Sequence, residues 1–321
     1  MKLKDLAKLC NVSVSTVSKA FCDADDIGDE TKEMIFEMAK KNGCYEKYYK
    51  GRYHKFVVAV ICPEVNSDLY ANFLNELQKA IAKVGGITVI AADGFDKANR
   101  VELVEYFASK DRADGIIAFY LDELKKGYDV PIINIGKDLT SVDSVNTDIK
   151  SALNDAVRHL KELGHRKIAF LGETLTEAKL KSFKDAMIEN NIYPDDAYHI
   201  VSQKRFEDAG VWGAEKILKE CPDCTAVVCA YDYIAIGAMK CFESHGLRVP
   251  EDYSVVGMDN IGRSEYLIKS LTTIDSHLSE VCSILADLMA KKVKCRFITA
   301  KQQIRVSADL VIRESTGKAR Y

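Results

Sequence analysis

The sequence predicts a small all-α helix-turn-helix head followed by a larger α/β domain of two lobes with parallel sheets. Three observations carry that expectation. Residues 1–45 show helical periodicity and no strand pattern. From Phe56 onward, short apolar runs alternate with helix-patterned stretches, the signature of βαβ units. The alternation restarts after Asp148, so two similar lobes are expected.

In the head, "LKDLAKLC" places Leu3, Leu6, Ala7 and Cys10 at helical spacing, with Asp5 suiting the positive end of the helix dipole. Asn11 tolerates positive φ and fits a tight turn. Ser13 is a suitable N-cap for a second helix running through Phe21, with Val17 and Phe21 on one face. Asp29 and Glu30 open a third helix striped by Met34, Ile35, Met38 and Ala39, and Gly43 stops it. Two helices about a tight turn with a third in support are a helix-turn-helix. The pattern also fits a three-helix protein-interaction module. The short side chains of "NVSVSTVSKAF" favour the DNA-binding reading, because a helix in the major groove must bring its backbone close to base edges. Its Ser and Thr hydroxyls suit phosphates, and Lys19 can reach a guanine edge or a phosphate.

In the larger part, "FVVAVIC" reads as a buried strand, followed by a helix over 68–84, a strand "ITVIAA", a helix over about 97–109 and strands "GIIAF" and "VPIINIG". After Asp148 come a helix through "SALNDAVRHLKELG", "KIAFLG", a helix 176–190, "AYHIVS", a helix 208–219, "TAVVCA", a helix 232–245 and "YSVVGM". Trp212 reads as helix core. No glycine-rich dinucleotide fingerprint follows any of these strands, and "VGGITV" has the wrong spacing.

Composition narrows the class. With 47% hydrophobic and 29% charged residues the chain is globular, and no apolar run nears the roughly 18 residues of a membrane span. "MKLKDLAKLC" has no secretory pattern, so a cytoplasmic protein is expected. The ten cysteines are scattered, as small hydrophobes in a reducing compartment would be. "CPDC" at 221–224 has the spacing of half a zinc site but no second half, so no metal and no cofactor are expected. The six histidines have no metal spacing, His165 in "LGHRK" reads as a structural loop residue, and no nucleophile triad or phosphate loop points to an enzyme. Charge is uneven. Lys2, Lys4, Lys8 and Lys19 face only Asp5 in residues 1–22, and Lys40, Lys41, Lys47, Lys50, Arg52 and Lys55 face only Glu46 in 40–55. Residues 23–37 hold seven acids against Lys32. Two basic patches beside an acidic segment suit a polyanion partner, and they also suit plain solvated helix surface.

"KLKDLAKLCNVSVSTVSKAF" resembles the N-terminal motif of the LacI/GalR-type (lactose-repressor) transcription regulators. The resemblance continues through "DGIIAF", "AVRHLKELGHRKIAFLG", "RVPEDYSVVGMDN", "LTTI" and "DLVIREST", over nearly the whole chain. It implies a DNA-binding transcriptional repressor, not an enzyme, that works as a homodimer on double-stranded operator DNA. Val14, Ser15 and Lys19 would read bases, and Ser13 and Thr16 would contact phosphates. It implies a periplasmic-binding-protein-like effector domain whose chain crosses between lobes three times. The divisions expected are 1–45 for the head, 46–56 for a linker, 57–147 with 277–306 for one lobe, and 148–276 with 307–321 for the other. The linker "YEKYYKGRYHKF" departs from the family, whose Pro-Asn, Ala-Arg and Leu hinge wedges into the minor groove. Tyr53 stands nearest the wedge position, and phosphate contact with little bending is expected instead.

Ligands of open α/β sheets sit beyond the carboxyl ends of the strands. Lys137, Asp148, Asp232 and Asp259 fall there, although Asp148 and Asp232 stand equally well as helix caps. The resemblance adds Asp68 and Tyr70 in the first-lobe loop, Phe206 near an aromatic position, and Lys179, Tyr231 and Ser276 where members carry Arg, Asn and Gln. These carboxylates and the altered neighbours imply a small polar effector, a carbohydrate or a derivative. A sugar receptor without DNA function is the alternative, and the fused head argues against it.

Overall fold

The computed structural model describes residues 1–22, 24, 26–48, 55–109, 112–124, 127–294 and 300–320. The head holds α1 (Leu3–Leu9), α2 (Val14–Phe21), α3 (Asp29–Lys41) and a short α4 (Tyr45–Tyr48). Its turn is built as its residues dictate. Asn11 takes φ 52°, and the Ser13 hydroxyl accepts from the Thr16 amide at 2.9 Å. Gly43 takes φ 63° where α3 ends. Leu6, Val17, Ala20, Phe21, Ile35 and Ala39 close a small core. The Tyr48 hydroxyl donates to the Met1 carbonyl at 2.7 Å, so α4 ties back onto the N-terminus.

The larger part begins with β1 (Phe56–Cys62), α5 (Asp68–Lys83), β2 (Gly86–Ala92), α6 (Lys97–Ala108), β3 (Gly115–Phe119), β4 (Ile132–Ile135) and β5 (Asp143–Asp148). It continues with α7 (Ile149–Glu162), β6 (Ile168–Glu173), α8 (Glu177–Glu189), β7 (His199–Ser202), α9 (Phe206–Glu220), β8 (Ala226–Cys229), α10 (Asp232–Ser244) and β9 (Ser254–Met258). The last elements are β10 (Thr272–Asp275), α11 (Leu278–Lys294), β11 (Gln303–Ser307) and β12 (Asp309–Val311).

These strands form two six-stranded sheets, ordered β11-β5-β4-β3-β1-β2 and β12-β10-β9-β8-β6-β7. Every pairing is parallel except β10 with β12. The chain passes from the first sheet to the second after β5, back between β10 and α11, and forward again between β11 and β12. α11 packs against α5 of the first lobe. Among the described residues no helix is long and apolar enough to cross a membrane.

The second lobe contains two close features. Helices α9 and α10 cross at glycines: a Cβ on Gly237 would stand 2.1 Å from the Glu207 carbonyl oxygen, and one on Gly210 would stand 2.1 Å from that of Ile234. His165 is 1% exposed. Its Nε2 lies 3.0 Å from the Gly317 carbonyl and its Nδ1 2.8 Å from the Thr225 hydroxyl, so the ring pins the C-terminal tail to the lobe. The carbonyl can only accept, which places the proton on Nε2 and leaves Nδ1 as acceptor. In "CPDC", Cys221 donates to the Ala197 carbonyl and Cys224 to that of Ala226, and both thiols are free and buried. Trp212 is half-buried against the second core.

Candidate functional sites: the recognition helix and the inter-lobe cleft

On α2, Val17, Ala20 and Phe21 face the head core, which leaves Val14, Ser15 and Lys19 on the exposed side. Val14 is 43% exposed. Ser13 and Thr16 sit at the helix start with their hydroxyls 2.8 Å apart, beside amides that suit a phosphate. Lys19 forms an ion pair with Asp26, whose carboxyl is held below its ordinary range by that hydrogen bond. Tyr53 lies outside the described residues.

The second site lies where the carboxyl ends of the two sheets meet. Strand ends place large residues here in a backbone conformation that side chains disfavour. Phe95, Tyr120, Phe206, Asp259, Asn260 and His277 have φ of 63°, 54°, 54°, 104°, 47° and 49°. For bulky residues such angles are outliers that need the surrounding fold to hold them. Tyr120 shows how: buried Arg100 donates to its carbonyl at 3.0 Å while paired with buried Asp93 at 2.6 Å. The Tyr120 phenol lies 3.3 Å from that of Tyr70. Burial pushes both phenols up, so they stay protonated.

From the second lobe, Lys179 on α8 donates to the Ala230 carbonyl at 2.7 Å and stands 3.5 Å from Asp259, above the Tyr231 ring. Burial raises the Asp259 carboxyl, and Lys179 opposes the shift. Burial first, then Asp259, also raise Tyr231. Phe206 follows Arg205 at the start of α9, its amide 3.3 Å from Glu173. The Asp68 amide donates to the Tyr233 hydroxyl of the other lobe, and the Asp68 carboxylate lies 3.3 Å from Arg263.

Thus Asp68, Tyr70, Lys179, Phe206, Tyr231 and Asp259 converge at the cleft end of the sheets. Lys137 sits on its rim, exposed and paired with Asp122 at 2.6 Å. Asp148 caps α7 through the Ser151 amide at 3.2 Å, at the first crossing. Ser276 is half-buried at the second crossing. Asp232 requires correction as a ligand contact. It is 0% exposed, and its oxygens accept from the Thr273 hydroxyl at 2.5 Å and the Ile261 amide at 2.8 Å. Burial and the nearby Asp259 raise it to about 7. It supports the loop that carries Asp259 and offers no oxygen to the cleft.

The sequence reading missed Glu64, Tyr120, Glu173, Arg205, Tyr233 and Arg263. The first three could have been found, since each stands at or just past the end of an apolar strand run. A recess of about 200 Å³ between Arg166, Met187 and Tyr198 opens at the opposite, amino end of β6 and touches none of these groups.

A helix-turn-helix head on a two-lobed, cleft-bearing body defines a DNA-binding regulator that responds to a small ligand. Residues 2–44 match the family described as "Bacterial regulatory proteins, lacI family", and residues 157–316 match a "Periplasmic binding protein-like domain". Its head is thus a LacI-family DNA-binding domain, and the relatives that match nearly the whole chain are transcription regulators. It is 25% identical over 336 residues to the "Probable HTH-type transcriptional repressor ExuR" of Bacillus subtilis (strain 168), covering 98% of each chain. It is likewise 25% identical over 307 residues to the "Ribose operon repressor" of Haemophilus influenzae (strain ATCC 51907 / DSM 11121 / KW20 / Rd), covering 91% of this chain and 92% of that one. The fold matches that of the lac repressor dimer bound to operator and the anti-inducer ONPF, with a TM-score of 0.73 at 21% identity over 99% of both chains. It also matches the transcriptional regulator CelR in its cellobiose complex, with a TM-score of 0.71 at 22% identity over 98% of this chain and 99% of that one.

Proposed function

We propose that this regulator is a cytoplasmic homodimeric repressor that binds operator DNA through α2 and responds to a small, polar, sugar-like effector between its lobes. The observation that carries the effector reading is the cluster of bulky positive-φ residues at the strand ends. Backbone strain persists where the surrounding fold holds it, and here Phe95, Tyr120 and Phe206 carry it at the strand ends where Lys179 and Asp259 also meet. The phenols of Tyr70 and Tyr120 and the carboxylate of Asp259 suit hydroxyls, and the rings suit the apolar face of a sugar. The CelR structure holds cellobiose in this fold, which supports the ligand class.

On the DNA side, Val14, Ser15 and Lys19 read bases while Ser13 and Thr16 hold phosphates. Two heads in a dimer engage two half-sites, and a shift of the lobes changes how the heads are spaced. Residues 1–45, with the rest of α4 as far as Tyr48, form the head, 57–147 with 277–306 the first lobe, and 148–276 with 307–321 the second. The test is a gel shift with DNA flanking the gene, comparing wild type and Lys19→Ala. Lys19→Ala is expected to weaken specific binding by about 1–3 kcal/mol and to spare binding to random DNA. Equal loss on both DNAs would reduce Lys19 to a phosphate contact. Absence of any shifted fragment would favour a receptor without DNA function.

A further inference from the structure

We infer that the chain holds its own lobes closed, through an arginine clasped from both sides of the cleft, and that the effector acts by changing an equilibrium this clasp already biases. The inference rests on the effector reading of the cleft.

Arg205 belongs to the second lobe, just before α9. Its Nη1 and Nη2 donate to the two carboxylate oxygens of Glu64, at 2.9 and 3.2 Å, and Glu64 follows β1 of the first lobe. Its Nε points the other way, 3.3 Å from Glu173, whose side chain is fully buried at the end of β6. The guanidinium also lies over Phe95 of the first lobe at 5.2 Å and over Phe206 of the second at 4.3 Å. A planar fork against one carboxylate is the strongest ordinary ion-pair geometry, and only Arg offers it. The pair is partly withdrawn from water, so salt screens it less than a surface pair. A few residues along, a second contact crosses the same rim: Asp68 meets Tyr233 through its amide and Arg263 through its carboxylate.

The arrangement of partners makes the clasp reversible. When the lobes part, Glu173 keeps Arg205, so no buried charge is orphaned in the second lobe. Glu64 simply returns to water. The bridge therefore biases closure without the severe penalty of breaking a wholly buried pair. It also fixes the first residues of α9, so a ligand that moves Phe206 must move Arg205 with it.

The experiment is hydrogen exchange with small-angle scattering on the full-length protein without added ligand. Glu64→Gln keeps the shape and removes the charge. It should speed exchange of the Asp68 amide and of the first turn of α9 about tenfold, with a larger radius of gyration and unchanged exchange in both sheet cores. Asp68→Asn should act in the same direction more weakly. Glu76→Gln, which removes an exposed pair with Lys79 inside one lobe, should change neither readout. Unchanged exchange and radius in Glu64→Gln, or the same change in Glu76→Gln, would overturn the clasp. A Glu64→Gln protein that still shifts promoter DNA yet shows no opening sinks the clasp alone. A wild type that shifts no DNA sinks the regulator reading and leaves the exchange result to stand or fall by itself.

Discussion

Replacing Gly237 by Ala tests whether the second lobe depends on the close crossing of α9 and α10. The new Cβ would lie 2.1 Å from the Glu207 carbonyl oxygen, 2.8 Å from its carbonyl carbon and 2.9 Å from its Cα. All three are backbone atoms, so no side-chain rotation relieves the clash. Restoring ordinary contact requires the helices to part by roughly 1 Å in an interior packed like a crystal. Overpacking of this kind costs about 1–3 kcal/mol, and a backbone obstacle belongs at the upper end. Alanine returns about 1 kcal/mol through its better helix propensity. The expected net loss is about 2 kcal/mol, or a fall of roughly 4–8 °C in the melting temperature of the larger domain. Scanning calorimetry of the full-length variant measures it. Gly262→Ala is the control, because nothing lies within 4 Å of its added Cβ and its φ is ordinary. It should stay within about 0.5 kcal/mol of wild type. A Gly237→Ala protein as stable as wild type would refute the reasoning, since the crossing would then have slack that the geometry denies.

Further outcomes follow from single residues. Gly28 caps α3 without a side-chain acceptor and has open space around it, so Gly28→Ser should stabilise the head by a few tenths of a kcal/mol in urea unfolding. Burial lowers the folded-state affinity of His165 for protons. Its contribution to stability is therefore complete above about pH 6.5, the unfolded value, and is lost as pH falls from there toward its depressed folded value. His159 and His199 act in the same direction, while His277, raised by its hydrogen bond to Asp309, acts in the opposite one. His165→Asn should cost about 1–3 kcal/mol at neutral pH by unsettling the tail, and should shrink the loss of melting temperature between pH 7.5 and 5.5; a drop as large as in wild type would acquit His165. Asp259→Asn should weaken effector binding by at least about 1.5 kcal/mol in calorimetry and leave effector-free operator affinity near normal.

Much of the architecture was legible because burial imposes periodicity. The apolar runs at "FVVAVIC", "GIIAF" and "SVVGM" could only be interior strands, and Asn11, Ser13 and Gly43 marked the turn, cap and stop where the chain uses them. α11 was legible too and went unread: Val281, Leu285, Leu288 and Met289 repeat at helical spacing and face the core. What the sequence could not carry was pairing across distance. Glu64 and Arg205 are 141 residues apart, and no local pattern links them. Asp232 failed for the converse reason. Its position at a strand end was right, but only the third dimension shows the hydroxyl of Thr273 and the amide of Ile261 consuming its oxygens. The left-handed turns at Phe95, Tyr120 and Phe206 were equally invisible, because nothing local favours that conformation for an aromatic residue.

The pairing of Lys19 with Asp26 has a kinetic side. A bare ammonium at the tip of a reading helix adheres to every phosphate it passes. Here it travels sheathed, with a carboxylate from the neighbouring acidic loop already in place. A phosphate oxygen must compete with a carboxylate already in place, so contact with random duplex first has to break this exposed, solvent-screened pair. A guanine edge at the right register offers two acceptors at once, together with the contacts of the rest of the helix. On the proposed reading, the acid shortens the dwell on wrong DNA more than on the operator, which eases the head's search among a vast excess of competing sites.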